Sequence, residues 1–404
     1  MRWPVGELKP GWKMVKFGDV VRRVNDKVPG KESGLGRYIA GQHMDTDDLR
    51  LRRWGEINDD YLGPAFHMRF RPGQVLYGSR RTYLRKVAVA DFEGICANTT
   101  FVVESKNPAV LLPELLPFIM TADAFHAHSV RESKGSVNPY VNFSDLAWYE
   151  FALPPLEEQR RISRALQASS ATTEALREVL SSARVLVQAA IDEAMDRRAG
   201  DAVPVSSLVR QEVLQRPQDG NHGGMHPKAR DYTPSGIAFL MACDVGDDSV
   251  DLVSCKRISR QLADSLRSDF RAENGDVLLT HKGTLGACAI LRGLDEPYAM
   301  LTPQVTYYRV LDQERLLPDF LLYAFKSSRY RQQLEAHGRQ STRAYVSISA
   351  QQGLEVPFPP VQAQQEVVDS IVGIVQSTNA TMSRIRQNRA LHAKVLSSEL
   401  QVLR

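Results

Sequence analysis

Two similar mixed α/β domains, separated by two long antiparallel helices that act as a coiled-coil spacer, make up the α+β, pseudo-two-fold architecture that this sequence predicts. Three observations predict it. One phrase occurs twice, as LPPLEEQRRI at 153–162 and FPPVQAQQEV at 358–367. The spacing between the copies is constant: Gln159 and Gln364 lie 205 apart, as do Ser136 and Ser341, Tyr140 and Tyr345, and Leu186 and Leu391. A long stretch with almost no helix breaker follows each phrase, with neither Pro nor Gly from Leu156 to Arg198 and only Gly373 after Val361.

Taken in order, the chain divides into residues 1–153, a long helix over 154–200, residues 201–358 and a second long helix over 359–404. In the first mixed segment VLYGS, KVAVADF and TTFVVES read as strands, β-branched and bounded by Gly, Pro and Asn. LLPELLPFIMTADAFHAHS then reads as helix broken by its prolines. The second segment repeats this with a drifting offset. RPGQVL at 71–76 faces ENGDVL at 273–278, IAGQHM at 39–44 faces LMACDV at 240–245, and VKFGDV at 15–20 shares an apolar frame with PVSSLV at 204–209. A period near 205 is too long for a solenoid and marks a duplicated domain-plus-helix unit.

Each long helix opens on a proline, Pro155 or Pro360, whose fixed φ and missing N–H suit a first turn; Glu157 and Glu158 add acids where the helix dipole favours them. Steps of fours and threes pick out one narrow seam in the first: Ile162, Leu166, Ser169, Thr173, Leu176, Leu180, Ala183, Val187, Ala190 and Ala194. The second has Ile371, Ile374, Thr378, Met382, Ile385, His392 and Val395, with Gly373 as a soft spot. A narrow stripe wants one partner helix, so the two are expected to pair with each other over roughly 60 Å. The alternative is that each packs on its own globular unit.

The 404 residues are 43% apolar and 24% charged with a net charge of +4, which permits a nucleic-acid partner without requiring one. No apolar run approaches the roughly 18 residues of a membrane span. The opening MRWPVGELKPGW lacks the apolar core of a secretion signal, and Cys96, Cys243, Cys255 and Cys288 show no C-x-x-C spacing, so the expected setting is the cytoplasm, with no metal.

Candidate binding residues come in basic clusters interleaved with aromatics. Residues 67–90 hold Arg69, Arg71, Arg80, Arg81, Arg85 and Lys86, with Tyr77 and Tyr83 among them and no acid until Asp91. Read as an alternating strand, 80–86 would put Arg81, Tyr83 and Arg85 on one face, suited to phosphate and base-edge contacts on DNA. A second cluster offers Arg131, Lys134, Asn138 and Tyr140. The other half answers with His281, Lys282, Arg339, Arg343 and Tyr345, and with Lys326, Arg329 and Arg331.

PPLEEQ opening a long helix, its recurrence as PPVQAQQ, and a PGQVL/NGDVL turn in each half together resemble the specificity subunits of type I restriction–modification systems. The resemblance covers essentially the whole chain and departs from the family pattern at Ala363, Gln365 and Gly373. It implies two target-recognition domains, each reading one half of a split double-stranded DNA target, with the helices setting the gap and docking two methyltransferase subunits. Those subunits carry S-adenosylmethionine and methylate adenine, and an ATP-driven translocase–nuclease subunit can join. It implies no catalysis and no cofactor on this chain. The residues agree: there is no G-x-G-x-x-G, no D/N-P-P-[YF] and no phosphate-binding GxxxxGK[ST]. His126 and His128 lack a third ligand at metal spacing, and Asp276 and Lys282 are wrongly spaced for a nuclease centre. The other reading compatible with the duplication is a bivalent protein-binding scaffold, against which the basic–aromatic segment in each half speaks.

Overall fold

A computed structural model describes residues 8–28, 34–57, 62–220, 226–247, 249–266, 271–338 and 344–400. Its contacts divide the chain into two compact units, residues 1–177 with 383–404, and residues 178–382. Each unit therefore holds one mixed α/β segment, part of the long central helix (Leu156–Asp196) and part of the long C-terminal helix (Val361–Leu400).

The first unit's strands are β1 (Lys13–Lys16), β2 (Val21–Val24), β3 (Arg37–Ile39), β4 (Gly55–Glu56), β5 (Phe66–Phe70), β6 (Val75–Gly78), β7 (Val87–Val89), β8 (Gly94–Ala97), β9 (Thr100–Ser105) and β10 (Glu150–Leu153). They form sheets ordered β4-β3-β8-β5 and β2-β9-β6-β7, with β1 and β10 paired alone. The second unit's strands are β11 (Ala202–Pro204), β12 (Gln218–Asp219), β13 (Tyr232–Leu240), β14 (Lys256–Ile258), β15 (Arg271–Ala272), β16 (Val277–Lys282), β17 (Thr284–Ile290), β18 (Ala299–Leu301), β19 (Val305–Tyr308) and β20 (Glu355–Pro357). Their orders, β14-β13-β18-β15, β12-β19-β16-β17 and β11-β20, repeat the first unit's strand for strand. The parallel pairing of two named strands in each unit also corresponds, Tyr38 lying opposite Ile95 and Phe239 opposite Met300. Even the weak sequence match at 39–44 and 240–245 marks the same feature, a 3-10 turn over Gly41–His43 and over Ala242–Asp244.

The apolar strands are covered on both faces, which is why they read as runs rather than alternations. Along β6, Val75 and Tyr77 enter the core under the helices, while Leu76 enters a second core between the sheets. Val277 and Leu279 divide from Leu278 in the same way. The helical stretch after β9 forms Leu116–Thr121 and Asp123–Arg131, but its prolines do not break it. Pro117 sits in a first turn, where a missing N–H costs nothing, and the break falls at Ala122, whose ψ of 141° is extended.

Every seam residue expected on the long helices is withdrawn from water, fully or in part. In the first unit the two helices run antiparallel, Arg161 meeting Glu399 and Ser169 meeting Asn388. In the second they do so again, with Arg184 reaching Met382 and Arg198 reaching the Ala363 carbonyl. The helix ends also pack on globular cores: Ile162, Leu166 and Leu400 join one, while Ile191, Met195, Val367 and Ile371 join the other. Pairing with the sister helix and packing on a domain thus occupy different turns of the same helices. Gly373 does not interrupt the C-terminal helix, and a Cβ there would meet open space.

The repeated Pro-Pro phrase acts through its glutamine. Gln159 is buried, its Oε1 accepts from Leu112 N at 2.9 Å, and its Nε2 donates to the Val110 and Pro154 carbonyls at 2.8 Å each. Gln364 repeats all three bonds with Leu317 N, Arg315 O and Pro359 O at the same distances. One side chain ties the first turn of the helix to the strand exit before it and to a loop about 47 residues upstream. Gln159→Ala leaves one buried N–H and two carbonyls without this partner and is expected to destabilise the first unit by about 2–3 kcal/mol. Urea unfolding of the variant checks this; an unchanged midpoint would show the clamp to be dispensable.

Candidate nucleic-acid interface

The hairpin β6–β7 and the turn before Asn142 carry the basic–aromatic residues of the first unit. Arg80 forms an isolated bridge to Tyr140, and its guanidinium lies 5.7 Å from the Tyr140 ring. In the second unit Lys282 bridges Tyr345, and its ammonium lies 5.8 Å from that ring. Tyr140 and Tyr345 are 39% and 38% exposed, so both copies present a cation on the face of a half-open tyrosine. A cleft of about 470 Å³ beside the first pair is lined by Arg23, Ser79, Arg80, Asn98, Phe101 and Asn142, among others. Arg23 was not among the residues the sequence singled out. Its guanidinium lies 4.4 Å from the Phe101 ring, and partial burial lowers its pKa. In the sequence it stands only as one of the paired arginines in VRRVN at 21–25.

The strand expected over 80–86 is absent. Thr82–Leu84 is a 3-10 turn flanked by two residues in the left-handed region, Arg81 (φ 50°, ψ 55°) and Arg85 (φ 50°, ψ 45°). Alternation therefore does not apply, and the expected Arg81–Tyr83–Arg85 face dissolves. Tyr83 stands at the turn, 52% exposed. Arg85 points the other way, donating to Asp47 Oδ1 at 2.6 Å, Asp123 Oδ1 at 2.8 Å and the Thr121 carbonyl at 2.9 Å. Lys86 is bonded to the Gly41 carbonyl. Arg69 donates to Glu93 at 2.7 Å, and Arg71 pairs with Asp26 at 2.8 Å. Acids distant in sequence thus engage most of a cluster that looked unopposed, leaving Arg80 and Arg81 exposed beside Tyr83.

In the second cluster Lys134 pairs with Asp145 at 3.0 Å and Arg131 with Glu132 at 3.0 Å, both in exposed positions. Asn138 Oδ1 accepts from Arg81 Nε at 3.2 Å. His281 corrects another expectation, because its ring is fully buried, with Nδ1 donating to the Val346 carbonyl at 2.8 Å and Nε2 lying 3.8 Å from Asp219. It supports the loop that carries Tyr345 and offers no surface for a ligand. Lys326 is buried as well. Arg339 and Arg343 lie outside the described residues. His128 is held between the Asp145 carbonyl and Arg131 at 2.9 Å each, and Asp276 is buried against Arg309 at 2.8 Å, so both have structural partners.

Residues 10–182 match the family model described as the type I restriction modification DNA specificity domain. Over that stretch the chain is similar to the specificity subunits of type I restriction–modification systems. It is 30% identical over 131 residues to the type I restriction enzyme EcoDI specificity subunit of Escherichia coli, covering 32% of this chain and 28% of that one. To the EcoBI specificity subunit of the same organism it is 21% identical over 284 residues, 61% of this chain and 58% of that one. These matches therefore span less than two thirds of either relative. In fold it resembles the S subunit of a type I restriction–modification system from M. genitalium, with a TM-score of 0.57 at 12% identity over 98% of this chain and 99% of that one.

The site of the first unit rests on an ionic network. Arg52 donates to Glu174 on the central helix at 2.7 Å and to Asp48 at 2.9 Å, and Arg177 meets Asp48 at 3.1 Å. Asp47, next in the chain, holds Arg85. Hydrogen bonds from Arg52, aided by the charges of Arg52, Arg50 and Arg177, hold the Glu174 carboxyl down at about 2, against an ordinary 4.5. A depressed acid stabilises the fold fully above its unfolded pKa and loses that contribution as pH falls through the folded one. Stability of the first unit is thus expected to decline between about pH 4.5 and 2. Glu174→Gln should flatten that part of the profile, and thermal unfolding across the range measures it.

Proposed function

We propose that this chain is the DNA-recognition subunit of a type I restriction–modification complex, reading a split double-stranded target with one domain per half-site. Residues 1–153 and 201–358 are the two target-recognition domains, and the helices of 154–200 and 359–404 space them and dock two methyltransferase subunits. The chain supplies no catalytic group and no cofactor; adenine methylation belongs to the methyltransferases, and restriction to translocase–nuclease subunits that join them. The complex works in the cytoplasm.

The observation that carries this reading is the duplicated cation–tyrosine contact, Arg80 on Tyr140 and Lys282 on Tyr345, at equivalent places in two domains of one topology. Cations on a shared backbone frame suit phosphate contacts, which position a protein on a duplex, while neighbouring side chains read the bases. Docking along the helices is supported by the seams: each helix turns its apolar stripe inward and leaves Arg164, Arg184, Arg386 and Arg389 exposed.

Replacing residues 1–153 with the corresponding domain of another family member is expected to change one half of the methylated sequence and keep the other, read by modification-aware sequencing of DNA treated with the methyltransferase complex. A change in both halves together would refute one domain per half-site. Light scattering of the purified complex is expected to give two methyltransferase subunits per chain; a stable one-to-one complex would count against paired docking.

A further inference from the structure

The two units share a backbone at the end of the hairpin but not the residue that occupies it. Arg80 and Lys282 are equivalent through their tyrosine bridges, so the next positions, Arg81 and Gly283, are equivalent too. Both are left-handed, with φ of 50° and 84°. Both use their N–H in the same way, Arg81 N donating to the Pro139 carbonyl and Gly283 N to the Ala344 carbonyl at 3.1 Å. A Cβ on Gly283 would meet nothing within 4 Å, so the glycine answers the backbone angle and not a lack of space. The first unit places a long, charged residue in that same disfavoured angle. Strain of this kind persists where the side chain has a use.

The side chain of Arg81 is exposed and held at one atom. Nε donates to Asn138 Oδ1 at 3.2 Å, and its two Nη groups have no partner among the described residues. That leaves the planar fork presented outward, beside exposed Tyr83. Its neighbour Arg85, equally left-handed, spends its guanidinium on Asp47, Asp123 and Thr121 and has no fork left to present.

Resting on the DNA-recognition reading above, we propose that Arg81 is the specificity-determining arginine of the first domain, its fork reading a guanine O6/N7 edge, with Asn138 as its positioning residue. A bidentate arginine matches guanine in the major groove better than any other base. Gly283 leaves the second domain without that reader, so the two half-sites are read differently at this place.

The test uses the full chain with its methyltransferase subunits and a randomised duplex library. Wild-type selection fixes both half-sites; if it yields no sequence preference, the DNA-recognition reading itself fails, apart from any role of Arg81. Given a preference, Arg81→Gly should keep or raise the melting temperature, since it relieves the left-handed angle. The same variant should lose discrimination at one guanine of one half-site by roughly tenfold to a hundredfold. Arg81→Lys keeps the charge without the fork and should retain the salt dependence of binding while losing that preference. Asn138→Ala should weaken the same position to a lesser degree. A purely structural arginine would lower stability in Arg81→Gly and leave the consensus intact. A phosphate contact would weaken all sequences alike and lower the salt slope by about 0.9. Either result overturns the proposal.

Discussion

A buried primary amide governs where each long helix leaves its domain. An amide has one acceptor and two donated hydrogens, and Gln159 commits all of them to main-chain groups, as does Gln364. A helix advances about 100° per residue, so a one-residue slip at its first turn would swing the apolar seam round to solvent along its whole length. Proline alone cannot prevent that, because it fixes one φ and binds nothing. The proline begins the helix and the glutamine fixes its phase. With the phase set, Ile162 and Leu166 meet the first core and the seam beyond them is free for the sister helix.

The seam is not uniformly apolar, and in the first unit an amide bridges the two helices. Asn388 Nδ2 donates to the Ser169 carbonyl at 2.7 Å and to Thr173 Oγ1 at 2.8 Å. The 205-residue repeat carries these three positions onto Ala183, Ile374 and Thr378, which lack the amide. A single asparagine in such a seam specifies register, because a shift would strand it among aliphatic side chains. The helix pair is thus pinned in the first unit and packed by smaller, less particular contacts in the second, an asymmetry within an otherwise repeated design.

Much of this was legible in the sequence. Duplication, both helices and their seams follow from spacing and the absence of breakers, since periodicity reports burial directly. The site was less so. Arg69, Arg71 and Arg85 looked like an unopposed basic strand because Glu93, Asp26, Asp47 and Asp123 come from other parts of the chain. The Arg-x-Tyr-x-Arg alternation suggested a strand where the chain makes a left-handed turn, which the identity of an arginine does not announce. Gly283 at the matching place in the other half was the one available sign of it. His281 misled for the opposite reason: a basic residue after GDVLLT looks exposed, and only the sheet shows it facing inward against Val346.

Comparing the halves separates two kinds of contact. The cation on tyrosine repeats, with arginine in one copy and lysine in the other, so that place requires charge and tolerates a change of donor geometry. Arg81 does not repeat, and neither does Arg23. Val24 lies opposite Val102 and Gln218 opposite Tyr307, its counterpart, which sets Arg23 against Pro217. Contacts to a uniform phosphate backbone should be common to both domains, whereas contacts to bases should differ when the half-sites differ. Charge without geometry repeats between the copies and geometry without repetition does not, which is the division that the proposed reading of two half-sites by one repeated scaffold expects.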